Sequence, residues 1–214
     1  MKRFQYFYKL VIIFMTPSFL FGGDPTSNKI IQNVKATMIS AKTLMIDFEE
    51  QYIWKLTGEK TLLRGRLTME GEDRFRVTTE DQIIVSDGET VWTYSIPSNR
   101  VLIDQLEKTM ETLLPKQIFV HYTKDYTSRL LEDESILSTD CYVIELCSER
   151  GDEFISHVKV WVGKKKWIPK QIEQVDITGN ITRYLIHEIK MGIPIDKMSF
   201  SFKIPNDAEV IEMR

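Results

Sequence analysis

The sequence predicts a mainly β protein with about eleven short antiparallel strands, one helix before them and a helical pair inserted after the sixth strand. Apolar and polar residues alternate along most of the chain, and turns rich in Gly, Asn or Asp separate the alternating runs. Helical spacing of apolar residues occurs in two short regions only. An antiparallel sheet of this size must close into a barrel, stack on a second sheet or curl around helices.

The first two elements are a helix and a long strand. Thr26 or Ser27 can cap the helix with a side-chain oxygen. The apolar stripe of the helix consists of residues spaced three or four apart, namely Ile30, Val34, Met38 and Ala41. Residues 43–56 then carry apolar side chains at nearly every even-numbered position, which predicts a strand.

Residues 65–94 have the pattern of four further strands. Turns are predicted at Glu70-Gly71-Glu72, Glu80-Asp81 and Asp87-Gly88. Asp87-Gly88 separates two apolar runs and predicts a hairpin, because both central residues of a type I′ turn need positive φ. A meander of this kind makes a curved antiparallel sheet with one apolar face, which another part of the chain must cover.

The second half of the chain begins with the helical insertion. From Gln105 to about Tyr122 apolar residues fall at helical spacing, and Pro115 divides the region into two short helices. Strands are expected again near residues 127–132, 141–147, 154–162, 167–177, 181–189 and 198–204. Their expected inner residues are Val158, Val160, Val162, Ile168, Ile172, Met198, Phe200, Phe202 and Ile204. Residues 24–214 are predicted to form a single domain.

Residues 1–23 have the features of a secretory signal peptide. They contain three basic and no acidic residues, an apolar run of about a dozen residues from Leu10, and a small Gly22-Gly23 end. The apolar run is short for a membrane span, which needs about 20 residues. We expect export with cleavage near Gly22 or Gly23, and the alternative is an uncleaved N-terminal anchor.

The chain is moderately acidic. It has 28 basic and 31 acidic residues, and without residues 1–23 the counts are 25 and 31, a net charge of −6. Nucleic acid is not an expected partner, because phosphate binding needs a basic surface. The 43% of hydrophobic and 28% of charged residues are ordinary globular values and argue against disorder.

Residues with catalytic or metal-binding potential are scattered along the sequence. It contains no nucleophile elbow, phosphate-binding glycine loop or paired zinc ligands. No catalytic residue, metal site or cofactor is therefore predicted, and the chain is not expected to be an enzyme. The histidines His121, His157 and His187 are isolated, and the last two fit solvated strand positions. Lys164-Lys165-Lys166 fits a solvated hairpin tip better than a site for anionic lipids.

Cys141 and Cys147 are predicted to remain unpaired. They lie six residues apart in one predicted strand, so at ~3.3 Å per residue they are about 20 Å apart. A disulfide requires Cα atoms within about 7 Å.

Four short segments between residues 65 and 94 carry a recognisable pattern in their order and spacing. They are Gly65-Arg66-Leu67, Arg74-Phe75-Arg76, residues 83–88 (IIVSDG) and Val91-Trp92-Thr93-Tyr94. Together with residues 200–205 (FSFKIP), they resemble the LolA family of periplasmic outer-membrane lipoprotein carriers. The resemblance implies an incomplete barrel with an N-terminal helix and a helical lid over a hydrophobic cavity. The family's basic-Arg-Pro turn, whose arginine tethers the lid, is replaced here by Glu70-Gly71-Glu72.

The resemblance also implies a function. It implies a non-enzymatic periplasmic carrier that shields the acyl chains of lipoproteins between the inner and outer membranes. The implied partners are acylated lipoproteins, an inner-membrane ATP-binding-cassette complex that releases them and an outer-membrane acceptor, with a monomer as the expected state. Two alternatives stay open, namely a lipid-sensing regulatory half-barrel of the envelope-stress type and a carrier of another lipid.

The candidate lipid site combines two sets of apolar residues. The expected cavity wall consists of Phe48, Leu67, Met69, Phe75, Val77, Val85 and Trp92, of which Trp92 is placed by the resemblance. The expected lid consists of Leu106, Met110, Leu113, Ile118 and Phe119. A barrel of about eleven strands is wide enough for a ligand unless helices fill it. The sequence leaves a filled core and an open cavity as alternatives.

Overall fold

A computed structural model describes residues 25–106, 126–148 and 154–213 of the protein. These residues form one α-helix, α1 (Pro25–Ser40), thirteen strands and a 3₁₀ helix (Lys197–Phe200). The strands are β1 (Thr43–Ile53), β2 (Lys60–Glu70), β3 (Arg74–Thr79), β4 (Gln82–Asp87), β5 (Thr90–Ser95), β6 (Arg100–Gln105), β7 (Tyr126–Leu130), β8 (Glu134–Ile136), β9 (Thr139–Ser148), β10 (Ile155–Gly163), β11 (Ile168–Asp176), β12 (Ile181–Met191) and β13 (Glu209–Glu212). The mainly β class is confirmed. Strands β8 and β13 have three and four residues, too few for alternation to reveal them.

All described strands belong to one open, curved sheet. Strands β1 to β6 form an antiparallel meander, β9 to β12 form another, and the pairing of β1 with β12 joins the two. At one edge β7 pairs with β9, and at the other β13 pairs in parallel with β6. The predicted incomplete barrel is thereby confirmed as a half-barrel.

Helix α1 packs against the inner, concave face of this sheet. The helix begins at Pro25, so the predicted cap at Thr26 or Ser27 is wrong, and Ser27 is instead buried and shares a 2.7 Å hydrogen bond with Ser128 of β7. The predicted apolar stripe is confirmed, because Ile30, Val34 and Met38 are buried and Ala41 packs against them. We call the resulting core the inner cluster. Its members are Ile30, Ile31, Val34, Met38, Leu44, Ile46, Phe48, Leu67, Met69, Phe75, Val91, Leu106, Ile144, Leu146, Val158, Val160, Val162, Ile172 and Ile186.

The predicted hairpin between β4 and β5 is confirmed, with a shift of its turn by one residue. The two loop residues are Gly88 and Glu89, and Gly88 has a φ of +109°. The carboxylate of Asp87 accepts hydrogen bonds from the backbone N–H groups of Glu89 and Thr90 at 3.0 and 2.9 Å. A side chain thus closes the turn, and only one loop residue needs positive φ.

Residues 198–204 do not form the predicted strand. Lys197–Phe200 is a 3₁₀ helix capped by Asp196, and the following residues run extended over the outer face of β3 to β5. Phe200 is 2% exposed, with the Arg74 guanidinium 4.9 Å from its ring centroid. Phe202 contacts the ring of Tyr94 at 5.9 Å. The alternation in this segment thus reflects packing on the sheet rather than pairing within it.

The predicted signal peptide, residues 1–23, lies outside the described residues. Two further observations concern the cysteines and the helices of the described part of the chain. Cys141 and Cys147 are both free in strand β9, as expected from their spacing along one strand. Among the described residues, no helix has the length and apolar character needed to cross a membrane.

Candidate functional site

Five of the predicted wall residues share the inner face of β1 to β3. Phe48, Leu67, Met69 and Phe75 belong to the inner cluster and are at most 9% exposed, and Val77 packs against them. The register places Leu67 opposite Val77 and Met69 opposite Phe75. Because directly paired residues of an antiparallel sheet share a face, these five residues form one apolar wall.

Val85 and Trp92 lie on the outer face, contrary to the prediction. Val85 pairs with both Arg76 and Trp92, and Arg76 alternates with the inner residues of β3. The loops that join β3 to β4 and β4 to β5 have two residues each, so odd-numbered residues pair with even-numbered ones. The inner face therefore changes parity at each loop, and Ile84 and Val91 take the inner positions.

Leu106 is the predicted lid residue that falls within the described part of the chain. It is 7% exposed and belongs to the inner cluster, and its backbone N–H donates to the carbonyl of Glu89 at 2.9 Å. The other predicted lid residues, Met110, Leu113, Ile118 and Phe119, lie outside the described residues. Their role as a lid stays a prediction.

The inner face opens toward the turn between β1 and β2. Along β1, Leu44 and Ile46 are at most 2% exposed, Glu50 is half-buried, and Trp54 just beyond the strand is 37% exposed. On the neighbouring strand β2, residues 60–62 are exposed, whereas Leu67, Thr68 and Met69 at the other end are buried. We call this end the mouth, and its inner-face residues are Glu50, Tyr52, Thr61, Leu63, Thr182 and Tyr184.

Gly65 explains how an aromatic ring fits at the inner edge of the mouth. It lies opposite Phe48 in the register, and a Cβ atom at this position would be 2.5 Å from Cζ of the Phe48 ring. The ring can therefore lie across strand β2 only because residue 65 has no side chain. This contact gives a physical reason for the glycine in the Gly65-Arg66-Leu67 segment.

Replacement of Gly65 by alanine is expected to lower the free energy of unfolding by about 1–3 kcal/mol, the usual cost of overpacking. Urea unfolding measures the change. A second replacement, Phe48→Leu, removes the ring that the new methyl group meets, so the double variant should lose less stability than the two single losses added together. Additive losses would contradict the contact.

Glu50 places a carboxyl group at the mouth on the inner face. It lies between Leu63 of β2 and Tyr184 of β12 in the register. Burial raises the pKa of the Glu50 carboxyl, because the ionised form loses hydration. Burial, together with the nearby Glu50 carboxylate, also raises the pKa of the Tyr184 phenol. Within the described residues, neither side chain has a hydrogen-bond or ion-pair partner.

The raised pKa of Glu50 predicts a pH-dependent effect of Glu50→Gln. Ionised Glu50 destabilises the folded protein above its folded pKa, and this cost disappears as the pH falls through that pKa toward the ordinary value of 4.5. Glu50→Gln is therefore expected to raise Tm near pH 8, with a gain that shrinks as the pH falls. Thermal unfolding across this range measures it, with Glu49→Gln on the outer face as control. A gain independent of pH would contradict the assignment.

The outer face of β1 to β3 differs in chemistry from the inner face. It carries a shallow groove of about 630 Å³, with Arg64, Arg76 and His187 among its lining residues. Arg66 donates to Asp47 across it at 3.0 Å, and this hydrogen bond lowers the pKa of the Asp47 carboxyl. Charged side chains make the groove unsuitable for acyl chains, so the inner face is the candidate lipid site.

Comparison with known proteins agrees with this geometry. Residues 40–203 match the family model described as outer membrane lipoprotein carrier protein LolA. The outer-membrane lipoprotein carrier protein of Legionella pneumophila is 21% identical over 206 residues, which cover 94% of this chain and 98% of the relative. An uncharacterised protein of Methanocaldococcus jannaschii is 19% identical over 213 residues, 97% of this chain. This chain spans only 61% of the length of that archaeal relative.

A solved structure supports the fold independently. The crystal structure of an uncharacterised conserved protein from Thermus thermophilus superposes with a TM-score of 0.59 at 13% sequence identity. The superposition covers 88% of this chain and 99% of that one, which shows a common half-barrel fold. Because the family model spans most of the sequence, the chain belongs to the LolA family of outer membrane lipoprotein carrier proteins.

Proposed function

We propose that the protein is a periplasmic carrier that holds the acyl chains of lipoproteins against the inner face and moves them from the inner to the outer membrane. The observation that carries this proposal is the family match over residues 40–203. The apolar wall that opens at the mouth supports it, because acyl chains need an apolar surface that they can reach. Residues 1–23 would direct export as a cleaved signal peptide.

Partition between water and the inner face would supply the binding energy. Each methylene group removed from water contributes about 0.8 kcal/mol, so ten methylenes contribute about 8 kcal/mol before the costs of association. Binding of this kind is reversible and needs no catalytic residue. We therefore propose a non-enzymatic cycle in which an inner-membrane ATP-binding-cassette complex loads the carrier and an outer-membrane acceptor of higher affinity unloads it.

Mass spectrometry of molecules that co-purify with the periplasmic protein tests the cargo. Triacylated peptides are the expected finding. Free lipid without peptide would contradict a lipoprotein cargo and indicate a carrier of another lipid. A single regulatory protein in place of lipid would contradict the carrier function and indicate a sensor.

The proposed export has its own test. N-terminal sequencing of the protein from the cell envelope is expected to show a mature chain that begins near Gly22 or Gly23. Recovery of the intact Met1 end in the membrane fraction would mean that residues 1–23 remain as an anchor.

A further inference from the structure

Glu50 differs from the other acidic residues of β1 in both direction and pairing. Asp47 and Glu49 point to the outer face, where they form ion pairs with Arg66 and Arg64. Glu50 has the same parity as Phe48 and faces inward. One strand thus carries two neutralised carboxylates outside and an unneutralised one inside.

The polar atoms of Glu50 and Tyr184 are accessible from the mouth. Among the described residues, every buried side-chain polar atom has a hydrogen-bond partner, and these two groups have none. Their oxygens must therefore be reachable by solvent, although both residues are half-buried. A half-buried carboxylate without a donor costs free energy in the empty protein, and a ligand that supplies a donor removes that cost.

The surroundings of this pair combine apolar and polar chemistry. Phe48 is the next inner-face residue of β1 away from the mouth. Its ring contacts the Tyr184 ring edge to face, with the two ring centroids 6.2 Å apart. Phe48 belongs to the inner cluster, which continues from it along the inner face. A ligand with apolar chains on this wall would therefore place its polar end beside a carboxylate and a phenol.

We propose that Glu50 and Tyr184 form a polar subsite that binds the ammonium or amide N–H group of a lipid whose acyl chains lie on the inner wall. This proposal rests on the carrier function. The carboxylate accepts the N–H hydrogen bond, and the Tyr184 hydroxyl donates to a neighbouring carbonyl or phosphate oxygen. A lipid whose head is anionic and has no N–H donor is disfavoured, because its charge repels the carboxylate. The N–H group can come from the amide of an acylated peptide or from the ammonium of a free aminophospholipid.

Displacement of an apolar dye from the mature protein tests the subsite. The dye is diphenylhexatriene, which has no hydrogen-bonding group and reports on the apolar wall alone. The competitors are phosphatidylethanolamine and phosphatidylglycerol with identical chains in detergent micelles, and a synthetic triacylated cysteine peptide. We expect the native protein to bind an N–H-bearing competitor at least about tenfold more tightly than phosphatidylglycerol, as expected for a hydrogen bond to a charged group.

The variants separate the subsite from the wall. Glu50→Gln is expected to lose the tenfold preference and keep the dye, and Tyr184→Phe is expected to lose part of it. Glu49→Gln, one residue away on the outer face, is the matched control and should keep the preference. Whether the preferred competitor is the acylated peptide or phosphatidylethanolamine identifies the source of the N–H group, and either result supports the subsite.

Other results would overturn the proposed subsite. If the native protein binds the dye and all competitors equally, or if Glu50→Gln keeps the preference, the subsite is wrong and the carrier function stands. If the native protein binds neither dye nor lipid, both proposals fail. Thermal unfolding of each variant shows that lost preference is not lost folding.

Discussion

Replacing Phe75 by alanine is expected to lower the free energy of unfolding by about 3–5 kcal/mol, the usual cost of truncating a buried phenylalanine. Phe75 is 4% exposed, lies opposite Met69 and belongs to the inner cluster. The surrounding strands are held by their ladders and cannot collapse fully into the space that the ring leaves. Equilibrium unfolding in urea measures the loss through the midpoint and the slope.

The control for Phe75 lies on the same strand. Thr78 faces outward, opposite Arg66, and Thr78→Ala is expected to cost less than about 1 kcal/mol. If Phe75→Ala keeps native stability and binds more of the apolar dye, Phe75 lines an open cavity and not a packed core.

Replacing Phe200 by alanine is expected to cost about 3 kcal/mol or more and to release the C-terminal segment from the sheet. Phe200 is 2% exposed and anchors residues 197–204 on the outer face, over strands β3 and β4. The substitution also removes the cation–π interaction between the Phe200 ring and the Arg74 guanidinium, which lies 4.9 Å from the ring centroid. Urea unfolding measures the stability, and hydrogen exchange of β4 and β5 should become faster in the variant.

The 3₁₀ helix provides a matched control for Phe200. Met198 lies two residues earlier and is 70% exposed, so Met198→Ala should leave both stability and exchange nearly unchanged. Equal losses in the two variants would contradict the anchoring role of Phe200, because they would show that the segment as a whole contributes and not the buried ring.

The proposed subsite and these two predictions concern three different regions of the sheet. The Phe75 variant probes packing on the inner face, the Phe200 variant probes the C-terminal segment on the outer face, and the Glu50 variants probe lipid selection at the mouth. Of the variants proposed above, those of Glu50 and Tyr184 are expected to change lipid preference without loss of folding. A carrier of this design would hold chains by burial and select heads by hydrogen bonding.

Local patterns in the sequence by themselves determined most of the strands, the amphipathic helix and the resemblance to the family. Alternation in residues 43–56 and helical spacing in residues 25–40 reflect which side chains each segment must bury, and this preference is local. The spacing of Cys141 and Cys147 likewise predicted free thiols, because one strand holds both.

Which face a side chain occupies was decided by the tertiary structure. Two-residue loops reverse the parity between neighbouring strands. This reversal placed Val85 outside although it alternates like a wall residue, and it placed Trp92 outside although the resemblance assigned it to the wall. The segment around Phe200 alternates without pairing, because it packs on a sheet face that only the folded chain presents. Glu50 interrupts the apolar positions of its strand in the sequence. The pairing of Glu50 with Tyr184 makes this interruption a candidate site, and that pairing depends on strand β12, which is distant along the chain.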